Sequence, residues 1–179
     1  MLKLYTTGAL IDKIGENETI KEMNLIIQNA DIDNIYEIQS LIYHTIDNNF
    51  VKIYSQSVIS YLKSYHSIQS ISDDISNGYC IIGKINNSIV ATGTLINNYI
   101  KSLYVNPLFQ RKGIGSIIIN YLEQYAINNN VKEILIDATI GSENFYVKLG
   151  YKIMELKRWK INDSIYMNYY EIKKIITNE

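Results

Sequence analysis

The sequence predicts an α/β domain, with seven strand-forming runs interrupted by helical ones in the order β-α-α-β-β-β-α-β-α-β-β. Three observations carry that expectation. From Gly113 to about Asn128, the residues Ile114, Ile117, Ile118, Tyr121, Leu122, Tyr125 and Ala126 recur at the spacing that lines one face of an α-helix. Asn86-Asn87 and Asn162-Asp163 each separate two strand-like runs, and asparagine tolerates the positive φ of a tight hairpin turn. No internal repeat, low-complexity tract or linker interrupts the 179 residues, so one domain is expected.

In chain order, residues 1–22 read as a polar extension. Thr6, Thr7, Asp12 and Lys13 break any apolar stretch there, which argues against a signal peptide. The domain proper is expected over residues 23–179. Asn24–Gln28 reads as a strand, and Asp31 or Asp33 can cap a helix with Ile35, Ile38, Leu41, Ile42 and Ile46 on one face. Thr45–Gln56 reads as a polar loop. A second helical region follows Ser57 and stops at Asn77-Gly78. Tyr79–Ile85, Ser88–Ile96 and Tyr99–Val105 are strands, the last ended by Pro107, which cannot continue a sheet ladder. After the Gly113–Asn128 helix, the apolar run Val131–Asp137 suits a strand buried on both faces. Ser142 then caps a short helix, Glu143–Leu149, stopped by Gly150, and Tyr151–Ile161 and Ser164–Ile172 close the chain.

Composition narrows the function classes. With 47% apolar and 20% charged residues the chain can bury a sizeable core. A net charge of −1 gives no electrostatic footprint for nucleic acid. No apolar run approaches the roughly 18 residues of a membrane span. The single cysteine, Cys80, precludes an internal disulfide and fits a cytoplasmic setting. Sixteen tyrosines make any one of them a weak clue by itself.

The most informative stretch is Gln110-Arg111-Lys112-Gly113-Ile114-Gly115-Ser116, between a strand and the long helix. A helix start carries unpaired N–H groups and the positive end of the helix dipole. Gly113 and Gly115 let a ligand approach that backbone, and Arg111 and Lys112 add two cations, a combination suited to phosphate or pyrophosphate. It is not a Walker loop, because Ser116 follows Gly115 with no lysine between. It is not a dinucleotide fingerprint either, since Ile118 holds the place of the third glycine. An ATP-binding module would further need a lysine and a metal-binding carboxylate that the pattern lacks.

The full string Leu103-Tyr104-Val105-Asn106-Pro107 through Gly115 resembles the acetyl-CoA loop of the GNAT superfamily of N-acetyltransferases. Asp137–Tyr151, with Thr139 ending a strand and Phe145-Tyr146-x-Lys148-Leu149-Gly150 in the next helix, resembles that family's companion segment. The element order from about Asn24 onward also fits, so the resemblance covers most of the chain. It implies a central mixed, mostly antiparallel sheet of about seven strands flanked by helices. It also implies acetyl-CoA as cosubstrate, no metal, and acetyl transfer to a primary amine of a small molecule or peptide by direct attack on the thioester.

The same resemblance assigns roles. Backbone amides near Leu103, Tyr104 and Val105 would meet the thioester carbonyl, whose growing negative charge they can stabilise. The pantetheine arm would lie where a bulge parts the fourth and fifth strands. Gln110, Arg111, Lys112, Gly113, Ile114, Gly115 and Ser116 would hold the pyrophosphate, and Thr139 stands where many members have asparagine. Tyr146 matches the general acid of many members; a phenol with a pKa of about 10 keeps its proton at neutral pH. Many members carry a glutamate on the fourth strand where this chain has Tyr99, so the base is open among Asp137, Glu143, Asp47 and His44. Tyr43, Phe50, Tyr54, Arg158 and Tyr166 are candidates for the acceptor walls, while the lone His66 and Trp159 read as packing or surface residues. The missing acid keeps a second reading open, a non-catalytic acyl-CoA-binding sensor or scaffold. A homodimer is also compatible with the resemblance.

Overall fold

The computed structural model describes residues 23–176, so the expected extension over residues 1–22 lies outside the described residues. The described residues open with strand β1 (Ile26–Asn29) and a 3-10 turn, Ile32–Asn34, closed by a capping box in which the Asp31 carboxylate accepts from Asp33 N–H and Asn34 Oδ1 accepts from Asp31 N–H. Helix α1 (Ile35–Asn49) follows and runs further than the sequence suggests, taking Thr45–Asn49 out of the expected loop. Helices α2 (Gln56–Tyr65) and α3 (Ile68–Asn77) replace the single second helical region. The break falls at His66, and Ser67 restarts the chain by accepting a cap hydrogen bond from Ser70 N–H.

Strands β2 (Tyr79–Ile85), β3 (Ser88–Ile96) and β4 (Tyr99–Val105) form a meander. Helix α4 (Ile114–Asn128) leads to β5 (Glu133–Thr139), helix α5 (Glu143–Lys148), β6 (Lys152–Lys160) and β7 (Tyr166–Ile175). The seven strands make one mixed sheet in the order β1-β2-β3-β4-β5-β7-β6, antiparallel except where β4 meets β5.

Each face of the sheet carries its own core. Ile81, Ile100, Ile134 and Ile136 pack against Ile114, Ile117, Ile118 and Leu122 of α4. On the opposite face Ile82 and Ile89 pack against Ile38, Leu41 and Ile42 of α1, Ile59 of α2 and Ile71 of α3. Fully burying one such side chain contributes roughly 1.5–3 kcal/mol. Gly93 lets α4 approach closely, since a Cβ there would lie 2.4 Å from Ile118 Cγ2. β5 is not buried on both faces. Ile134, Ile136 and Ala138 turn toward α4, while the alternation places Leu135, Asp137 and Thr139 on the other face, where Asp137 is exposed.

Two features shape the gap between β4 and β5. Tyr99 and Leu135 are their one paired position, joined by Leu135 N–H donating to Asn98 O at 2.9 Å, and beyond it the strands part. Just there β4 carries a bulge: Ile100 pairs with Leu95 and Ser102 with Thr94, leaving Lys101 as the extra residue. The bulge shifts the alternation, so Leu103 and Val105 follow Ile100 onto the α4 face while Tyr104 joins the other core.

His66, at the break between α2 and α3, is 3% exposed, and its Nε2 lies 2.9 Å from the Tyr104 hydroxyl. Burial, with Lys101 adding a smaller repulsion, lowers its pKa from 6.5 to about 4. The unfolded chain therefore takes up this proton first as pH falls, so the stability contributed by the neutral imidazole is complete above pH 6.5 and is lost toward pH 4. The loss should reach about 3 kcal/mol. In urea titrations the wild-type midpoint should drop steeply between pH 7 and pH 4.5, and His66→Gln should flatten that dependence. Parallel curves for the two proteins would show that His66 does not carry it.

Candidate active site

The gap opens into a cavity of about 760 Å³, walled by the ends of β4 and β5, the start of α4, α5 and the last turn of α1. Its β4 wall is a free strand edge. Asn106 N–H donates to Val90 O on the β3 side at 2.8 Å, so the two-residue alternation turns the backbone groups of Val105 and Leu103 the other way, into the gap. The carbonyl of Val105 is taken by the Gln110 side chain, whose Nε2 donates to it at 2.9 Å. Gln110 thus braces the turn as well as lining the cavity.

At one end of the cavity the chain turns into α4. Arg111 (φ 60°) and Gly113 (φ 85°) both adopt left-handed backbone, and Gly113 sits at the N-cap position with no side chain to bond the first amides. The first intrahelical bond at this end runs from Ile117 N–H to Gly113 O at 3.1 Å, so the amides of Ile114, Gly115 and Ser116 precede the helical ladder. Gly115 is set by packing: a Cβ there would stand 3.2 Å from Phe145 Cζ. Arg111, Gly113, Gly115 and Ser116 line the cavity, whereas the Ile114 side chain is core and Lys112 Nζ lies over the Phe109 ring at 5.3 Å. Neither Arg111 nor Lys112 has an acidic partner among the described residues. The result is a cationic, donor-rich end suited to an anionic group.

Across the gap, Thr139 ends β5. Its carbonyl accepts from Ser142 N–H at 3.0 Å and from Ser142 Oγ at 2.7 Å, which turns the chain into α5. Tyr146 on α5 is 7% exposed, lines the cavity, and its hydroxyl makes no hydrogen bond among the described residues. Burial pushes the phenol well above its usual range, so it is protonated at any ordinary pH. Leu103, Tyr104 and Val105 also line the cavity, with the Tyr104 ring turned toward His66.

The expected acceptor side is assembled only in part. Phe50 lines the cavity, and Tyr54 straps the α1–α2 connection to the sheet: it receives Ile140 N–H at 2.9 Å and donates to Asn168 O at 3.0 Å. Tyr43 is spent on holding α2, donating to Lys63 O at 2.9 Å. Arg158 stacks over Tyr166 at 4.0 Å, and neither lines the cavity. Of the candidate bases, Asp47 pairs with Lys63 at 2.7 Å, Glu143 accepts from Gly141 N–H at 2.6 Å, and His44 lies beside Asn48. None of these three lines the cavity, and Asp137 does. Lys101, missed in the sequence, lines it too, with its ammonium held 2.7 Å from the buried Asp74 carboxylate. Thr45, Asn48 and Asn49 were also missed, because they lie on the turn of α1 expected to be loop. No group of three or more metal-binding side chains occurs among the described residues, and no helix there is long and apolar enough to cross a membrane.

Comparison with known proteins gives the same architecture. The family model of the acetyltransferase (GNAT) domain matches residues 50–169. No curated protein matches the sequence significantly. Among solved structures, a GCN5-related N-acetyltransferase from Rhodopseudomonas palustris superposes with a TM-score of 0.77 at 16% identity, covering 84% of this chain and 94% of that one. The PaiA N-acetyltransferase from Thermoplasma acidophilum, solved in complex with coenzyme A, has a TM-score of 0.72 at 16% identity, covering 86% and 100%. The ribosomal-protein-S18-alanine N-acetyltransferase from Escherichia coli has a TM-score of 0.66 at 10% identity, covering 87% and 96%. At such identities the structures speak for the fold, while the family model spans well over half of the sequence: this chain belongs to the GNAT acetyltransferases.

Proposed function

We propose that the chain binds acetyl-CoA in the gap between β4 and β5 and transfers the acetyl group to a primary amine of a small molecule or peptide. The observation that carries this reading is the continuity of one cavity from the amides at the start of α4, along the free edge of β4, to the Tyr146 hydroxyl. An elongated cosubstrate fits that path. Its pyrophosphate would meet the Gly113–Ser116 amides and Arg111, and its pantetheine arm would run between Val105 and Thr139. The thioester carbonyl would accept from the gap-facing backbone near Leu103 as negative charge grows on it. Tyr146 would then protonate the departing thiolate. Two structures similar to this one were solved with coenzyme A or acetyl-CoA bound, PaiA and YncA, which supports the cofactor part of the reading.

A thiol-release assay with acetyl-CoA against polyamines, amino acids, aminoglycosides and peptide N-termini tests the reaction. Acetyl-CoA binding with no thiol release across the panel would favour the sensor or scaffold reading instead.

Gly113 offers a test of the cofactor end. A side chain there would crowd the α4 amides and oppose the left-handed backbone, so Gly113→Val should raise the acetyl-CoA dissociation constant at least tenfold, about 1.4 kcal/mol. Calorimetric titration of a folded variant checks this, and wild-type affinity would remove the pyrophosphate assignment.

Tyr146→Phe tests the other end, keeping the ring and removing the proton. Turnover should fall by roughly a hundredfold while acetyl-CoA affinity changes little. The comparison belongs in single-turnover conditions, where chemistry limits the rate. An unchanged rate would leave Tyr146 as a packing residue.

A further inference from the structure

We infer that Asp137 is the proton acceptor of the transfer, receiving a proton from the acceptor nitrogen on the side of the sheet covered by α1, α2 and α3. The inference rests on the proposed acetyl transfer and adds to it the group that clears the proton.

The case starts from what lines the cavity. Asp137 is its only acidic side chain among the described residues, and no histidine lines it. The other ionisable groups there are unable to accept a proton at neutral pH. Tyr104 and Tyr146 are already protonated phenols, Arg111 is a permanent cation, and Lys101 is an ammonium committed to Asp74 and Ser70 at 2.7 and 3.2 Å. Asp47 and Glu143 are each held by other partners.

Position is the second part. Asp137 lies two residues before Thr139 on the same face of β5, at the depth where β4 and β5 cease to pair. Asp137 lines the cavity, forms no ion pair among the described residues, and accepts a hydrogen bond from the Tyr99 hydroxyl. Charged and titratable groups approach it from several neighbouring elements. Tyr99 lies beside it from β4, and Tyr65 from the end of α2. Glu171, its register partner, and Tyr169 belong to β7. Lys157 of β6 is paired with Glu171, and Lys101 of β4 with Asp74. Phenol rings around a carboxylate make a site that suits an ammonium ion, which both the charge and the ring faces attract. Although the residue reaches solvent, its carboxylate loses part of its hydration against the neighbouring strands, which raises its pKa above 3.8 and makes it a stronger base, opposed by the hydrogen bond from Tyr99.

The step balances without another reactant. The bound ammonium first gives one proton to solvent; the resulting neutral nitrogen attacks the thioester carbon, a C–N bond forms and the C–S bond breaks. The nitrogen, now positively charged and far more acidic than the free ammonium, gives its extra proton to Asp137. The thiolate takes a proton from Tyr146, and solvent returns the Asp137 proton to Tyr146.

The test uses Asp137→Asn and Asp137→Glu in the full chain with acetyl-CoA and the amine panel above, followed by pH profiles of kcat/KM for any amine the wild type acetylates. With kcat/KM referred to the concentration of neutral amine, Asp137→Asn should bind acetyl-CoA like the wild type, lower kcat/KM by a hundredfold or more, and lose the acid limb of the profile; Asp137→Glu should keep that limb. An Asp137→Asn protein with a wild-type rate, or a lowered rate with the acid limb intact, overturns the assignment and leaves the acetyltransferase reading standing. If it fails to bind acetyl-CoA, the residue shapes the fold and the assignment also falls. A wild type that binds acetyl-CoA and acetylates none of the panel overturns the acetyl-transfer reading and this inference with it.

Discussion

β4 and β5 pair at Tyr99 and Leu135 and then separate, and most of the site's arrangement depends on that separation. A parallel pair that continued would satisfy the backbone of both strands and leave no room between them. Parting them in the middle of a sheet exposes amides that cost free energy if they are buried without a partner. The chain answers with local devices at each end. Gln110 caps the carbonyl of Val105, and Ser142 caps that of Thr139, so the gap is held open by braces rather than by a filled core. Lys101, the inserted residue of β4, re-aims the strand at the place where pairing stops. Its ammonium, drawn into the buried Asp74 carboxylate of α3, fixes that bulge against the helical layer.

The two cores make this opening affordable, since each side of the sheet is closed independently. On one face α4 packs tightly over β3, where only glycine fits at position 93. That contact fixes the start of α4, and so the loop Arg111–Gly113, at one end of the gap. On the other face Asp137, Lys101 and the end of α1 line the cavity, with Tyr99 beside Asp137. The cavity is therefore electrically divided: Arg111, with no acidic partner among the described residues, and helix amides at the α4 end, and a carboxylate beside phenols at the other. A cosubstrate bearing phosphates and an acceptor bearing an ammonium would enter such a cavity from opposite ends.

Much of this was legible in the residues, for a physical reason. The strand–turn–basic loop–helix order and the Phe145–Gly150 helix are local patterns, and their spacing survives into the structure with boundaries shifted by a residue or two. What sequence could not give was long-range. The break at His66 depends on a buried hydroxyl from Tyr104, and the extra turn of α1 on packing beneath it; neither leaves a mark in nearby residues. The bulge at Lys101 appears only when β3 is set beside β4. Among four candidate bases, types and local spacing could not choose. Placement outside the cavity removes three, Asp47 and Glu143 being held by other partners as well, and the remaining one, Asp137, is the polar residue that breaks the apolar run of β5.

The placement of Tyr146 and Asp137 also accounts for how different their surroundings are. Tyr146 is buried, and burial makes its phenol a weaker acid than usual; its value to the proposed reaction is that it stays protonated and sits in the gap without another partner among the described residues. A thiolate formed beside it needs a donor already in place, so position outweighs acidity there. Asp137 reaches solvent, so it is able to lose an acquired proton to water afterward. Had both groups been buried, the proton handed to Asp137 would have no path back to the tyrosinate. Had both been exposed, water would compete for the thioester. Opening one face of the gap to solvent and closing the other over α5 separates the two requirements, and the parting of β4 and β5 makes that separation possible.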